Sequence, residues 1–214
     1  MVEIIPSINV RTFEEVQERV KKVEPYVKWC HLDVTDGVFS KHLTWHDPRD
    51  LLNLETSLNV EVHLMVSEPE KVLDQWLVKP IKRVIVHLEA VTDMDLIIKK
   101  CREAGVGIGI AINPETFWGK LELWFGKVDI YQVLAVHPGP SGQDVDWSEI
   151  LGKIRHIRER CPGCIIEVDG GINPESAKKA ADAGANLLAA GAYIFSSKDI
   201  EHSILELRRL ATIS

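Results

Sequence analysis

The chain lacks any apolar run long enough to span a bilayer, which excludes a membrane-spanning helix. It lacks an excess of basic residues: Lys+Arg 25 against Asp+Glu 32 leaves a net charge of −7. That field argues against general nucleic-acid binding, and any small anion must be held by local dipoles instead. Cysteine is sparse, at 30, 101, 161 and 164. The motif "CPGC" (161–164) has no second CxxC to complete a zinc site, so the expectation is reduced thiols in a cytoplasmic protein. The opening "MVEIIPSINV" shows neither the basic region nor the apolar core of a secretory signal, in keeping with that location. There is no low-complexity tract, linker or composition break, so the 214 residues are read as one domain, 1–214.

What the chain does have is a rhythm. Short apolar, β-branched runs occur at "VEIIPSI" (2–8), "VKWCHLDV" (27–34), "NVEVHLMV" (59–66) and "KRVIVHLE" (82–89). They continue at "VGIGIAI" (106–112), "VDIYQVLAV" (128–136), "CIIEVD" (164–169) and "ANLLAAG" (185–191). Between them lie amphipathic segments at 12–23, 93–104, 147–160 and 173–184, and another at 199–212 ends the series. Strands of buried type alternating with helix-period segments indicate βα units and a parallel sheet. Roughly eight units in a chain this long predict an α/β fold of the closed (β/α)₈ TIM-barrel kind. An open doubly wound sheet would more often carry GxGxxG after its first strand, where this chain has "PSINV". Asn173-Pro174 reads as a helix cap followed by a first-turn proline, and Gly184 as a helix stop.

In such a barrel the site lies at the C-terminal ends of the strands. Those ends carry Ser7, His31 with Asp33, His63, His87 with Glu89, Asn113, His137, Asp169 and Gly191. Side chains alternate along a strand, so His31 and Asp33 share a face, as do Glu61, His63 and Met65, and Glu167 and Asp169. If these faces point inward, two imidazoles and two carboxylates meet at the barrel mouth. That donor set suits Zn²⁺, Fe²⁺, Co²⁺ or Mn²⁺ without selecting among them. His87 and Glu89 read as partners behind such ligands or as barrel lining. His42, His46, His156 and His202 fall in loops or helices and are assigned to solvent or local hydrogen bonds. "VDGGI" (168–172) and "AAGAYIF" (189–195) place glycines after the seventh and eighth strands, where barrels often cradle a phosphate.

Taken together these residues resemble the ribulose-phosphate 3-epimerase family over essentially the whole chain. The resemblance is carried by "PSI" (6–8), "HLDVTDGVF" (31–39), "VHLMV" (62–66), "HLEA" (87–90), "NPET" (113–116), "VHPGPSGQ" (136–143) and "IEVDGGI" (166–172). It implies one divalent metal ion held by His31, Asp33, His63 and Asp169, with Zn²⁺ or Fe²⁺ foremost, and Asp33 and Asp169 as the acid–base pair. It implies substrate contacts from Ser7, His63, Met65, Gly142, Gly170, Gly171, Gly191 and Ala192, and inversion at C3 of D-ribulose 5-phosphate to D-xylulose 5-phosphate in the pentose phosphate pathway.

The departures from the family pattern cluster. Thr35 replaces a methionine, and Leu134 stands where a second often sits. "FSKH" (39–42) replaces F-V-P-N, Pro140 and Ser141 replace Phe-Gly, and Ala192 replaces a serine. These residues cover substrate, which keeps open a hexulose such as D-allulose 6-phosphate and a non-catalytic barrel that binds a phosphorylated ligand. An orotidine-phosphate decarboxylase-like site is disfavoured because "DVTD" (33–36) has no lysine between its carboxylates. The expected partner is a small phosphorylated sugar, with no nucleic acid and no membrane. Trp45, Trp118, Trp124 and Trp147, in loops or outer helices, suggest a homo-oligomer or covered barrel ends.

Overall fold

The alternation of strands and helices produces the cylinder that the pattern predicts. The computed structural model describes residues 2–140 and 142–212, so the substitution at Ser141 lies outside the described residues. Eight parallel strands close in sequence order: β1 (Glu3–Ile8), β2 (Trp29–Thr35), β3 (Asn59–Met65), β4 (Ile81–His87), β5 (Gly107–Ile112), β6 (Ile130–Leu134), β7 (Ile166–Asp169) and β8 (Leu187–Ala190). The last pairs back onto the first, with Ile5 opposite Ala189. Around them run α1 (Phe13–Val23), α2 (Pro69–Trp76), α3 (Met94–Glu103), α4 (Trp147–Arg160), α5 (Pro174–Ala183), α6 (Ala192–Phe195) and α7 (Ile200–Leu210). After β2 and β5 the connections hold short 3₁₀ stretches instead, Pro48–Asn53 and Trp118–Trp124.

Local chemistry sets the helix ends. Thr12 and Glu15 form a reciprocal capping box at α1, and Asn173 caps α5 with Pro174 in the first turn. Gly184 ends α5 in the left-handed region at φ 114°, as the sequence predicts. The sequence pattern did not reveal α2 and α6. One spans about two turns and the other a single turn, too short for a 3.6-residue period to emerge.

Two apolar compartments result. A large layer between sheet and helices takes the outward side chains, including Leu32, Leu64, Val86, Ile110 and Val168. A small plug inside the barrel holds Ile5, Ile85, Ala111, Ile130 and Leu187, with Trp29 against it. Above this plug the inward positions turn polar.

The tryptophans take one of the two places open to them, and one expectation about the cysteines changes. Trp45 is buried against Phe13 and Trp76, while Trp118, Trp124 and Trp147 are half-buried on the main core. These tryptophans cover the protein's own layers and do not form the exposed aromatic patch from which self-association was inferred. Nor are all thiols reduced: Cys161 and Cys164 are joined, with Cα atoms 5.4 Å apart. The chain turns back immediately after α4, Cys164 N–H donating to the Cys161 carbonyl at 3.1 Å, which brings the two sulfurs together. Cys30 and Cys101 are free, and burial pushes both thiols up, Cys101 to about 12.

Candidate metal centre and active site

Parallel pairing fixes the register that builds the site. His31 lies beside Ser7 on β1, and Asp33 lies beside His63 on β3. Asp169, at the end of β7, reaches the same point from across the barrel. The donor atoms of His31, Asp33, His63 and Asp169 lie within 4.8 Å of one another, and all four residues are buried. Asp33 Oδ1 is 3.3 Å from His31 Nε2 and 3.4 Å from His63 Nδ1. Asp169 Oδ2 is 3.7 Å and 3.3 Å from the same two nitrogens. The convergence inferred from face-sharing is therefore present.

Whether this set fits a cation can be tested on its own atoms. Asp33 Oδ1 is buried with no hydrogen-bond partner, an expensive state for a carboxylate oxygen unless a ligand completes it. Burial works against charge on His31 and His63, yet the surrounding carboxylates outweigh it and raise both imidazoles. Burial likewise works against the Asp33 anion, and the two imidazoles outweigh it and lower the carboxyl. The cage thus draws positive charge, and its two nitrogens and two oxygens are donors that a divalent transition metal accepts.

The far side of each imidazole is also accounted for. His31 Nδ1 sits 2.8 Å from Glu61 Oε1, so Nδ1–H donates there and Nε2 faces the cage, where a metal would take the place of its proton. His63 Nε2 sits 2.8 Å from His87 Nε2, with the rings stacked, and His87 Nδ1 is 3.3 Å from Glu89. Burial lowers His87 to about 4, leaving it a neutral ring that accepts from His63 and donates to Glu89. Glu89 is pinned by the Asn113 N–H and the Thr116 hydroxyl. His87 and Glu89 thus stand behind His63, one of the two roles open from sequence.

Beneath His31 lies a layer that sequence reasoning left without a role. Glu61 and Glu167 are fully buried beside Arg83, which pairs with Glu61, stacks on Trp29 and lies 3.9 Å from Glu167. Gln132 donates to Glu167 at 3.1 Å. Burial favours the neutral form of both acids. The His31 hydrogen bond and the Arg83 charge hold Glu61 low, whereas the neighbouring Glu61 charge helps push Glu167 well up. The two acids are thus held apart, Glu61 toward its charged form and Glu167 toward its neutral form. Face-sharing on β3 and β7 was the available signal for them; Arg83 gave none.

Above the cage opens a cavity of about 230 Å³. Its walls include Ser7, Asp33, Met65, Asp169, Gly142, Gly170, Gly171, Gly191 and Ala192, the expected substrate contacts with one exception. His63 is fully buried behind the aspartates and does not line it. Gly170 and Gly171 have φ of 100° and 66°, and a Cβ on Gly171 would meet Val145 at 2.4 Å. Only glycine fits there, and it leaves main-chain N–H groups near the cavity. Ser7 Oγ donates to Asp33 Oδ2 at 2.8 Å. Asn9 and Arg19 also line the cavity, unforeseen because neither ends a strand.

Several departures from the family pattern hold the loops at the mouth of the barrel. Thr35 and Thr44 exchange hydrogen bonds at 2.9 Å and clamp the base of the 36–43 loop. At its far end Ser40 Oγ donates to the Pro138 carbonyl at 2.7 Å, and His42 contacts Asn9, which donates to the Gly139 carbonyl. The loops after β2 and β6 therefore interlock over the mouth. Among the other histidines, His46 bonds the Thr44 carbonyl and His156 stacks on Trp118, both local roles.

Known proteins share the sequence and the fold. A ribulose-phosphate 3-epimerase of Bacillus subtilis (strain 168) is 32% identical over 97% of this chain and 99% of its own length. The chloroplastic ribulose-5-phosphate-3-epimerase of Arabidopsis thaliana is 34% identical over 94% of this chain and 74% of its own. The orotidine 5'-phosphate decarboxylase structure from Pyrococcus horikoshii OT3 superposes with a TM-score of 0.67 over 98% of this chain and all of that one, at 16% identity, a likeness of fold alone. The ribulose-phosphate 3 epimerase family model matches residues 3–195, and the chain belongs to that family.

Proposed function

We propose that the protein inverts C3 of D-ribulose 5-phosphate to give D-xylulose 5-phosphate, using Asp33 and Asp169 as a pair of acid–base groups. The observation that carries this reading is the position of those two carboxylates. They come from β2 and β7, on different sides of the barrel, and both border the cavity and the four-donor cage. A C–H beside a ketone is a weak acid, and inversion needs a proton removed from one face and returned to the other. One aspartate takes the C3 proton while the other, protonated, delivers one to the opposite face of the enediolate.

A divalent cation held by His31, Asp33, His63 and Asp169 would, when bound, supply Lewis-acid stabilisation of the negative charge that builds up as the proton leaves. Ser7 holds Asp33 Oδ2 and so fixes the direction of the other oxygen. Met65 and Leu134 give the cavity an apolar wall that keeps water from the carbanionic centre. Gly170, Gly171 and Gly191 present main chain to the phosphate end. The test is turnover of D-ribulose 5-phosphate in D₂O by metal-replete protein. Deuterium should enter at C3 together with xylulose 5-phosphate; no exchange and no product would leave a binding barrel.

A second substrate is favoured by the interlocked loops. Ser40, His42 and Pro138 reshape the mouth, so D-allulose 6-phosphate belongs in the same assay. A higher kcat/KM on the hexulose would reassign the sugar and keep the chemistry.

A further inference from the structure

The cavity has an electrostatic problem. Two of its wall residues are the carboxylates Asp33 and Asp169, and the chain as a whole carries −7. Ala192, beside the glycine cradle, offers no side-chain donor. A phosphate dianion entering here would meet main-chain dipoles, and a side-chain cation beside them would add charge-assisted hydrogen bonds against the negative field of the chain. Among the described residues lining the cavity there is one arginine and no lysine, and it is Arg19.

Arg19 projects from α1, an outer helix, and its guanidinium carbon lies 4.6 Å above the centre of the Phe195 ring. Phe195 ends α6, the single turn that begins at Ala192. The residue is half-buried. Among the described residues its guanidinium has no hydrogen-bond or ion-pair partner. The acid next to it in sequence, Glu18, is paired with Lys22 at 2.6 Å. An arginine stacked on an aromatic face has its plane fixed and its N–H edge unspent, the arrangement used to grip oxyanions. The other side chain at the rim that could carry a positive charge, His137, is 70% exposed and faces Glu115 at 3.5 Å.

We propose that Arg19 is the cationic ligand of the substrate's phosphate, held by Phe195 so that its N–H edge completes the site formed by Gly171, Gly191 and Ala192. This rests on the reading that the substrate is a sugar phosphate. It assigns a charge-based affinity determinant to a helix that carries no strand-end residue.

The test is a titration of inorganic phosphate into the wild-type protein and the Arg19→Met and Arg19→Lys variants, read by calorimetry. KM and kcat for D-ribulose 5-phosphate are measured on the same preparations. Methionine keeps an unbranched stem against Phe195 without the charge. It should weaken phosphate binding and raise KM by about 10- to 100-fold, the loss expected for charge-assisted hydrogen bonds, with kcat little changed. Lysine should recover part of both. If Arg19→Met leaves phosphate affinity and KM unchanged in an enzyme that turns over ribulose 5-phosphate, the anion role falls and the epimerase reading stands. If phosphate binds through Arg19 in a protein that does not epimerise that sugar, the epimerase reading falls and the anion site stands. No phosphate binding and no turnover in the wild type would overturn both.

Discussion

His31 faces two pairs of carboxylates through its two nitrogens. Nδ1 looks down at Glu61, 2.8 Å away, and Glu167, 3.5 Å away; Nε2 looks up at Asp33, 3.3 Å away, and Asp169, 3.7 Å away. The lower pair has its own cation, Arg83, and an amide donor from Gln132, and Glu167 is pushed toward its neutral form. The upper pair has no arginine or lysine beside it, borders the cavity, and leaves Asp33 Oδ1 without a partner. Orphaned oxygens occur in both layers, Glu167 Oε2 and Gln132 Oε1 below and Asp33 Oδ1 above, but only the upper pair borders the cavity. Access to the cavity, more than residue type or satisfaction, marks the layer where chemistry happens.

The largest break in that comparison should come from neutralising the upper acids. Asp33→Asn or Asp169→Asn is expected to lower kcat for epimerisation by about 10³-fold or more, the scale of lost acid–base catalysis, with circular dichroism and thermal midpoint near wild type. Chelation should reproduce the loss of activity and added divalent metal restore it. A variant with either asparagine and near-normal turnover would remove that aspartate from the proton path. Full activity after thorough chelation would remove the cation from the account.

The lower layer should respond in stability instead. Arg83→Met leaves Glu61 ionised and buried without its counter-charge, a loss of about 3–5 kcal/mol. Glu167→Gln replaces an acid pushed toward its neutral form with its near-isostere and should shift the urea midpoint little. Equal destabilisation by the two changes would mean that both glutamates are ionised, and the contrast between the layers would then rest on geometry alone.

How much of this was legible in the sequence follows from what each layer needs. The period-2 alternation on β2, β3 and β7, set against the barrel pattern, was enough to place His31, Asp33, His63 and Asp169 together, because inward faces at one end of a cylinder must converge. The same alternation put Glu61 and Glu167 on those faces but gave no partner. Arg83 sits two residues into β4 among ordinary strand residues, and its pairing depends on a register shift between β3 and β4. The interlock of Ser40 with Pro138 and the reach of Arg19 to Phe195 join segments far apart in the chain, and nothing local announces them. The disulfide is not legible in residue type or compartment, since it depends on the turn after α4 that brings the two cysteines together.

The smallest predicted effect lies at the outer edge of the upper layer, where Glu89 meets both the His87 ring and solvent. Burial works to raise this carboxyl, but the His87, Thr116 and Asn113 hydrogen bonds outweigh it and hold the value at about 2, below the ordinary 4.5. A folded pKa below the unfolded one makes the ionised form stabilising. That contribution is complete above about pH 4.5 and fades as pH falls toward 2. His87, lowered to about 4 from 6.5 by burial, gives an earlier loss of the same sign as pH falls from 6.5 to 4, since a neutral buried ring must charge. Acid should therefore weaken the protein in two adjoining windows. Glu89→Gln removes the lower window and flattens the urea midpoint between pH 4.5 and 2.5, by on the order of 1–2 kcal/mol. An unchanged acid profile in that variant would show that Glu89 holds its proton equally well folded and unfolded, and the chain of partners from His63 would then end at His87.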